Sequence, residues 1–126
     1  KEWYKILRPG GKVLLFVPAF MHLWSTHDKI NHHRKRYTLK DVIKISKENG
    51  FTVKKATYWN FALYFPHLFI TKLKNLFNLE GSNISRTNRF FNSLLYRLLL
   101  FENFLILNGL KFPVGISCFV ILKKPL

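Results

Sequence analysis

Short unbroken apolar runs alternate along this chain with longer stretches in which apolar residues recur at helical spacing. The apolar runs lie at residues 12–17 and 113–122, and residues 51–60 are rich in β-branched and aromatic side chains. Runs of this length without alternation are typical of strands that are covered on both faces. The pattern therefore predicts three strands, at 12–17, 51–60 and 113–122.

Helical signals lie between and before these strands. Residues 2–7 are predicted to end a helix, because Pro9 and the glycines that follow favour a turn. Thr38, with Asp41 three residues later, forms a capping-box start for a helix that ends before Gly50. The His- and Arg-rich residues from Ala19 to Tyr37 are predicted to form a loop.

The middle of the chain is apolar and aromatic. Residues 61–79 and 89–110 are predicted to form two helices, joined by a polar loop at 80–88. The resulting order is helix, strand, helix, strand, two helices, strand, which is typical of the α/β class.

Length and charge narrow the possible functions. The 126 residues suit one domain and include 48% hydrophobic residues, enough to form a core. Lys and Arg number 21 against 6 Asp and Glu, a formal net charge of +15, and 17% of the residues are aromatic. The positive electrostatic field of such a protein attracts polyanions or an anionic membrane surface. However, one half of a larger protein can carry the same excess of positive charge.

The single cysteine and the N-terminus bear on cellular context. Cys118 excludes an intrachain disulfide, and its apolar surroundings indicate a buried, inert thiol in a reducing compartment. No apolar signal-peptide region is visible near Lys1. Because position 1 is not Met, we expect the natural chain to begin earlier.

Four ordered motifs carry a family resemblance. They are LRPGGKVLLFVP at 7–18, HRKRYT at 33–38, NGFTV at 49–53 and FPVGIS at 112–117. Together they resemble the C-terminal part of class I S-adenosylmethionine-dependent methyltransferases. In that family the first motif joins a helix to the fifth strand of the sheet, and the others lead into the next helix, the sixth strand and the last strand.

The resemblance implies part of a Rossmann-like fold. The chain would hold strands 5, 6 and 7, with residues 61–110 as a helical insertion or lid between strands 6 and 7. The strand at 113–122 would then run antiparallel between the other two. The sequence has no Gly-rich cofactor loop after a strand and no acidic residue for the ribose hydroxyls. S-adenosylmethionine is therefore expected to bind the complete enzyme but not this chain alone.

The candidate chemistry lies in the loop after the first strand, because that end of a parallel sheet faces the ligand crevice. His33 is the candidate catalytic base, since an imidazole titrates near neutral pH. The candidate acceptor-binding residues are Trp24, Asp28, Arg36 and Tyr37. An alternative is structural: Asp28 pairs with Arg36 to fix the loop, and Tyr37 packs under the following helix. The local His and Asp residues match no tetrahedral metal template, so no metal site is predicted.

The insertion at 61–110 has two interpretations. It either forms a cap that is buried against the domain or lies in a membrane interface, with its aromatic side chains in lipid and its Lys and Arg at the polar edge. Neither helix reaches about 20 uncharged apolar residues, which argues against a spanning segment. A cytoplasmic location is expected, with peripheral membrane attachment as an open possibility.

The resemblance thus implies a methyltransferase fragment that supplies the acceptor side of the domain and is inactive by itself. The methyl acceptor would be a small or lipid-linked molecule. The alternative is a basic, aromatic-rich module that binds nucleic acid or a membrane surface. Nucleic acid is not the expected partner, because the aromatic residues lie in apolar runs instead of alternating with basic residues on one strand.

Overall fold

The computed structural model describes residues 2–77 and 89–126, which form a mixed α/β fold around a three-stranded sheet. In chain order the elements are α1 (Glu2–Ile6), β1 (Lys12–Pro18), a 3-10 helix (Met21–Leu23), α2 (Thr26–Ile30), α3 (Leu39–Glu48), β2 (Thr52–Trp59), α4 (Phe61–Leu76), α5 (Arg89–Leu107) and β3 (Ser117–Lys123). The predicted α/β class is confirmed. The predicted loop at 80–88 lies outside the described residues, and α4 ends at Leu76 and not at the predicted residue 79, with Phe77 as its C-cap.

The sheet has the order β1-β3-β2, and β3 runs antiparallel to both neighbours. Lys123 of β3 lies opposite Lys12 on one side and Thr52 on the other, and Ser117 lies opposite Pro18 and Trp59. The central, antiparallel place predicted for the last strand is therefore found.

The core lies on one face of this sheet, under α3. Cys118, Val120 and Leu122 alternate along β3 and are buried there with Val42 of α3 and Phe51. Thr38 and Asp41 cap α3 reciprocally: the Thr38 hydroxyl accepts from the Asp41 N–H, and the Asp41 carboxylate accepts from the Thr38 N–H. The predicted capping box is confirmed, and so is the buried Cys118, whose pKa burial raises to about 12.

Helix α5 is attached to the other face by its C-terminal half. The Trp59 indole N–H donates to Asn103 Oδ1 at 2.9 Å, and the Lys55 ammonium donates to the Ile106 carbonyl. Its N-terminal half is largely exposed. Within the described residues, only α5 is long and apolar enough to cross a membrane by length and composition, with a mean hydropathy of 1.4 and 11% of that stretch buried.

The larger differences from the sequence prediction concern the segment after β1, the end of α5 and the start of β3. The predicted loop from Ala19 to Tyr37 contains the 3-10 helix and α2, because the Asp28 carboxylate accepts the Ser25 N–H and closes a helical turn. Helix α5 ends at Leu107 and not at residue 110. Two residues after this end, Gly109 adopts a φ of 98°, which lies outside the helical region. The third strand begins at Ser117 and not at residue 113, since the preceding segment packs against β2 through a bridge from Phe112 to Tyr58.

Candidate functional site

A buried ion pair organises the segment between β1 and α3. Asp28 lies on α2, and Arg36 lies directly before Tyr37, which forms a parallel bridge with Ala19. Arg36 Nε donates to Asp28 Oδ1 at 3.0 Å, and Arg36 Nη2 donates to Asp28 Oδ2 at 2.9 Å. Arg36 Nη1 donates to the Ala19 carbonyl at 3.1 Å. The guanidinium therefore joins α2 to the end of β1 by a bidentate pair, the strongest geometry available to these side chains.

Further donors complete the surroundings of the Asp28 carboxylate, which is 1% exposed. The Ser25 N–H and hydroxyl donate to Oδ2 at 2.9 and 3.2 Å, and His33 Nδ1 lies 3.0 Å from Oδ1. Burial by itself raises the pKa of Asp28, but the hydrogen bonds from Arg36, His33 and Ser25 outweigh it and lower that pKa to about 2. Asp28 is thus an ionised, buried acceptor at neutral pH.

The ionised carboxylate fixes the tautomer of His33. Asp28 can only accept hydrogen bonds when ionised, so His33 Nδ1 must carry a proton toward it. In the neutral ring the lone pair then belongs to Nε2. The His33 side chain is 38% exposed, whereas its partner is buried. The buried Asp28 carboxylate therefore fixes the orientation of the His33 imidazole, while part of the ring remains accessible to solvent.

The lowered pKa of Asp28 predicts a specific pH dependence of stability. The folded pKa of about 2 lies below the ordinary value of 3.8, so the stabilisation is complete above about pH 4 and is lost as the pH falls through 2. We expect the difference in unfolding free energy between the wild type and Asp28→Asn to shrink by on the order of 2 kcal/mol between pH 5 and pH 2. Urea unfolding of both proteins at successive pH values measures this difference in unfolding free energy. A difference that does not change with pH would contradict the ion pair.

The remaining predicted acceptor residues lie elsewhere in this region. Tyr37 packs against the core and lines a cavity of about 270 Å³ with residues of α1, β1 and α3, among them Trp3, Leu15 and Val42. Trp24 is half-buried and follows the 3-10 helix, where its backbone N–H donates to the Met21 carbonyl. The structure thus brings Asp28, His33 and Arg36 into contact, and it places Tyr37 in the packing position that the structural alternative predicts. The role of Trp24 stays a prediction.

An aromatic cluster beside this loop is absent from the sequence prediction. Phe20 has φ 58° and stacks on Tyr58 at 4.7 Å and on His22 at 5.1 Å between ring centroids. His22 Nε2 lies 3.0 Å from the Tyr64 hydroxyl, which belongs to α4. The cluster joins the loop after β1 to the first turn of the helical insertion. No local signal reveals this contact, because its partners are 42 residues apart.

A buried carboxylate at the base of the insertion was also missed. Glu102 of α5 is 4% exposed, and its Oε1 accepts the Phe61 N–H at the start of α4. Asn60, directly before α4, has φ 62° and makes no side-chain cap, so Glu102 replaces a local capping residue. In the sequence, Glu102 is visible only as a charge that interrupts an apolar stretch.

None of the described glycines forms a phosphate-binding loop for a nucleotide cofactor. Gly10 and Gly11 lie in the turn before β1, and a side chain on Gly115 would meet the Trp59 backbone. None of them follows the carboxyl end of a strand and opens a helix, as phosphate-binding glycines do. Residues 2–77 and 89–126 also hold no group of three or more His, Cys, Asp or Glu side chains that could bind a metal ion.

Comparisons with protein-family models, with curated proteins and with solved structures find no match to this chain. The function must therefore be inferred from its own motifs and from the geometry around Asp28.

Proposed function

We propose that this chain is the acceptor-side part of an S-adenosylmethionine-dependent methyltransferase with a Rossmann-like sheet. The observation that carries the proposal is the oriented His33 imidazole on the buried, ionised Asp28, in the loop at the carboxyl end of β1. The sheet order β1-β3-β2, with β3 antiparallel, supports it, because the four motifs imply the same order for strands 5, 7 and 6.

His33 would act as the proton acceptor. Methyl transfer to an O–H or N–H group releases one proton, and His33 Nε2 carries the lone pair that can take it up. The imidazolium that forms keeps its Nδ1 hydrogen bond to Asp28, whose negative charge stabilises it. Arg36 fixes the position of that carboxylate through its two bonds and does not itself take the proton.

The residues present do not fit the cofactor. The sequence contains no Gly-rich motif after a predicted strand, and the glycines that the structure describes form no phosphate-binding loop. S-adenosylmethionine, which supplies the methyl group, would therefore be held by a cofactor-binding half of the complete enzyme. This chain would contribute the acceptor loop and residues 61–110 as a lid, and by itself it would be inactive. The acceptor is a small or lipid-linked molecule.

His33→Gln in the complete enzyme tests this role. Gln can still donate to Asp28 but cannot accept a proton, so we expect kcat for methyl transfer to fall at least about a hundredfold. The assay follows tritiated methyl from S-adenosylmethionine into the aqueous and lipid extracts of cells, which separates a small acceptor from a lipid-linked one. His32→Asn is the matched control, because His32 is an exposed neighbour with φ 53° and Asn tolerates that conformation.

A second measurement checks the geometry without enzyme activity. Long-range ¹H–¹⁵N NMR correlations should assign the proton of neutral His33 to Nδ1 in the wild type and allow both tautomers in Asp28→Asn. Unchanged methyl transfer in His33→Gln would remove the proposed base. Tight nucleic-acid binding by the chain, with a steep salt dependence and no methyl transfer in the complete enzyme, would favour the alternative of a nucleic-acid module.

A further inference from the structure

The two long helices expose an apolar surface that the rest of the chain does not cover. Among the described residues, seven phenylalanines of α4 and α5 or adjoining them are between 56% and 73% exposed: Phe65, Phe69, Phe77, Phe90, Phe91, Phe101 and Phe104. A monomeric soluble protein rarely exposes a contiguous apolar patch of more than a few hundred Å². The exposed apolar surface of α4 and α5 therefore calls for a partner.

The helices do not bury this surface against each other. Between them lies an open cavity of about 440 Å³, lined by Leu63 of α4 and by Leu95, Tyr96 and Leu99 of α5. At the base of the helices, Glu102 of α5 accepts the Phe61 N–H of α4, and Asn103 of α5 accepts the Trp59 indole N–H of β2. The base is thus fixed to the sheet, while the apolar side chains beyond it stay uncovered.

The exposed charges on the same surface are positive. Lys72 and Lys74 on α4 and Arg89 and Arg97 on α5 are basic, and Glu102 is the single acidic residue among residues 61–77 and 89–110. Because Glu102 is only 4% exposed, the charge that this surface presents to a partner is positive. A partner that takes up aromatic side chains and also attracts lysine and arginine must be apolar inside and anionic at its surface.

We propose that α4 and α5 lie on an anionic lipid bilayer, with their phenylalanines in the interface and their basic residues at the headgroups. Amphipathic segments with aromatic and basic residues bind membranes in this way. The proposal goes beyond the methyl-transfer function and does not rest on it. Contact of the loop after β1 with α4, through His22 and Tyr64, would hold the Asp28 region near the membrane surface.

The base of the helix pair favours this surface position over a spanning one. Helix α5 is long and apolar enough to cross a bilayer, but Asn103 and Ile106 in its C-terminal half are bound to β2. Arg97 and Glu102 also lie within it, and α4 contains Pro66, Lys72 and Lys74. Charged groups at the centre of a bilayer are costly, whereas at the interface they reach the headgroups.

Vesicle flotation of the full chain tests the proposal. We expect it to float with vesicles of phosphatidylcholine and phosphatidylglycerol, and to bind pure phosphatidylcholine far more weakly. Phe69→Ser and Phe101→Ser should each weaken binding about tenfold, since each removes an inserted aromatic side chain. Arg97→Gln should weaken it about fivefold at low salt. Ile6→Ser is the matched control, because Ile6 is 82% exposed on α1, away from this surface.

Each result either supports or overturns the proposal, provided that circular dichroism and thermal unfolding show the variants to be folded as the wild type is. Failure to float with either vesicle overturns it, and so does flotation that the Phe substitutions leave unchanged. Self-association in sedimentation experiments without lipid, abolished by the same substitutions and unaccompanied by flotation, would assign the surface to a second copy of the chain. Resistance of bound protein to alkaline extraction would indicate a spanning helix and overturn the surface position.

Discussion

Replacing Arg36 by Ala should lower the unfolding free energy by about 3–5 kcal/mol, because it leaves a buried carboxylate without its main partner. Arg36 is 6% exposed and Asp28 is 1% exposed. The substitution removes both bonds to Asp28 and also leaves the Ala19 carbonyl without the Arg36 donor. Since a domain of this size has a total stability of about 5–15 kcal/mol, the loss is a large part of it.

Urea unfolding measures this effect, and the chain supplies its own controls. Arg34→Ala removes the same side chain at an exposed position two residues away and should change stability by no more than about 0.5 kcal/mol. Adding Asp28→Asn to Arg36→Ala should recover part of the loss, because the unpaired charge is then gone. If Arg36→Ala lowered the unfolding free energy no more than Arg34→Ala does, the ion pair would not stabilise the loop. The proposed orientation of His33 by Asp28 would then be contradicted as well.

Replacing Gly115 by Ala is expected to cost about 3 kcal/mol, at the upper end of what overpacking usually costs. A Cβ at this position would lie 2.4 Å from the Trp59 carbonyl oxygen and 2.9 Å from the Trp59 backbone nitrogen. Both are backbone atoms of β2, so the clash cannot be relieved by a side-chain rotation. The strand would have to move, together with the Trp59 indole that donates to Asn103 of α5.

Hydrogen exchange around Trp59 and urea unfolding together check this prediction. We expect faster exchange at the base of α4 and α5, where the Phe61 N–H is bonded to Glu102. Gly109→Ala is the control: Gly109 has φ 98° but no atom within 4 Å of an added Cβ, so only conformational strain of about 1 kcal/mol is expected. Equal losses in the two variants would contradict the close approach of Gly115 to β2.

Local spacing predicted much of the secondary structure. The apolar runs gave three strands, and Thr38 and Asp41 gave the start of α3, because a capping box needs only residues three positions apart. The central place of β3 came from the resemblance of ordered motifs to a known family, since no local rule gives the order of strands. The need for glycine at 115, which the motif contains, became clear only from its approach to Trp59.

The candidate site was predicted as a group of residues but not as an arrangement. The sequence placed Asp28, His33, Arg36 and Tyr37 in one segment and left open whether they bind an acceptor or stabilise the loop. The structure joins the first three through the Asp28 carboxylate and turns Tyr37 toward the cavity under α3. This arrangement depends on the tertiary structure, because a buried carboxylate needs hydrogen-bond donors from several positions of the chain. The position of each donor depends on the surrounding packing.

The sequence by itself determined the three strands and the helices α1, α3, α4 and α5, because propensity, capping and hydrophobic spacing act over a few residues, but it missed the 3-10 helix and α2. Only the tertiary structure decided which distant groups meet. Glu102 caps α4 from 41 residues away, and Tyr64 reaches His22 from 42 residues away. The tertiary structure also determines that the phenylalanines of α4 and α5 stay exposed. The same apolar pattern in the sequence is equally compatible with a buried cap. Long-range contacts of this kind depend on how helices pack on a sheet, which local spacing does not encode.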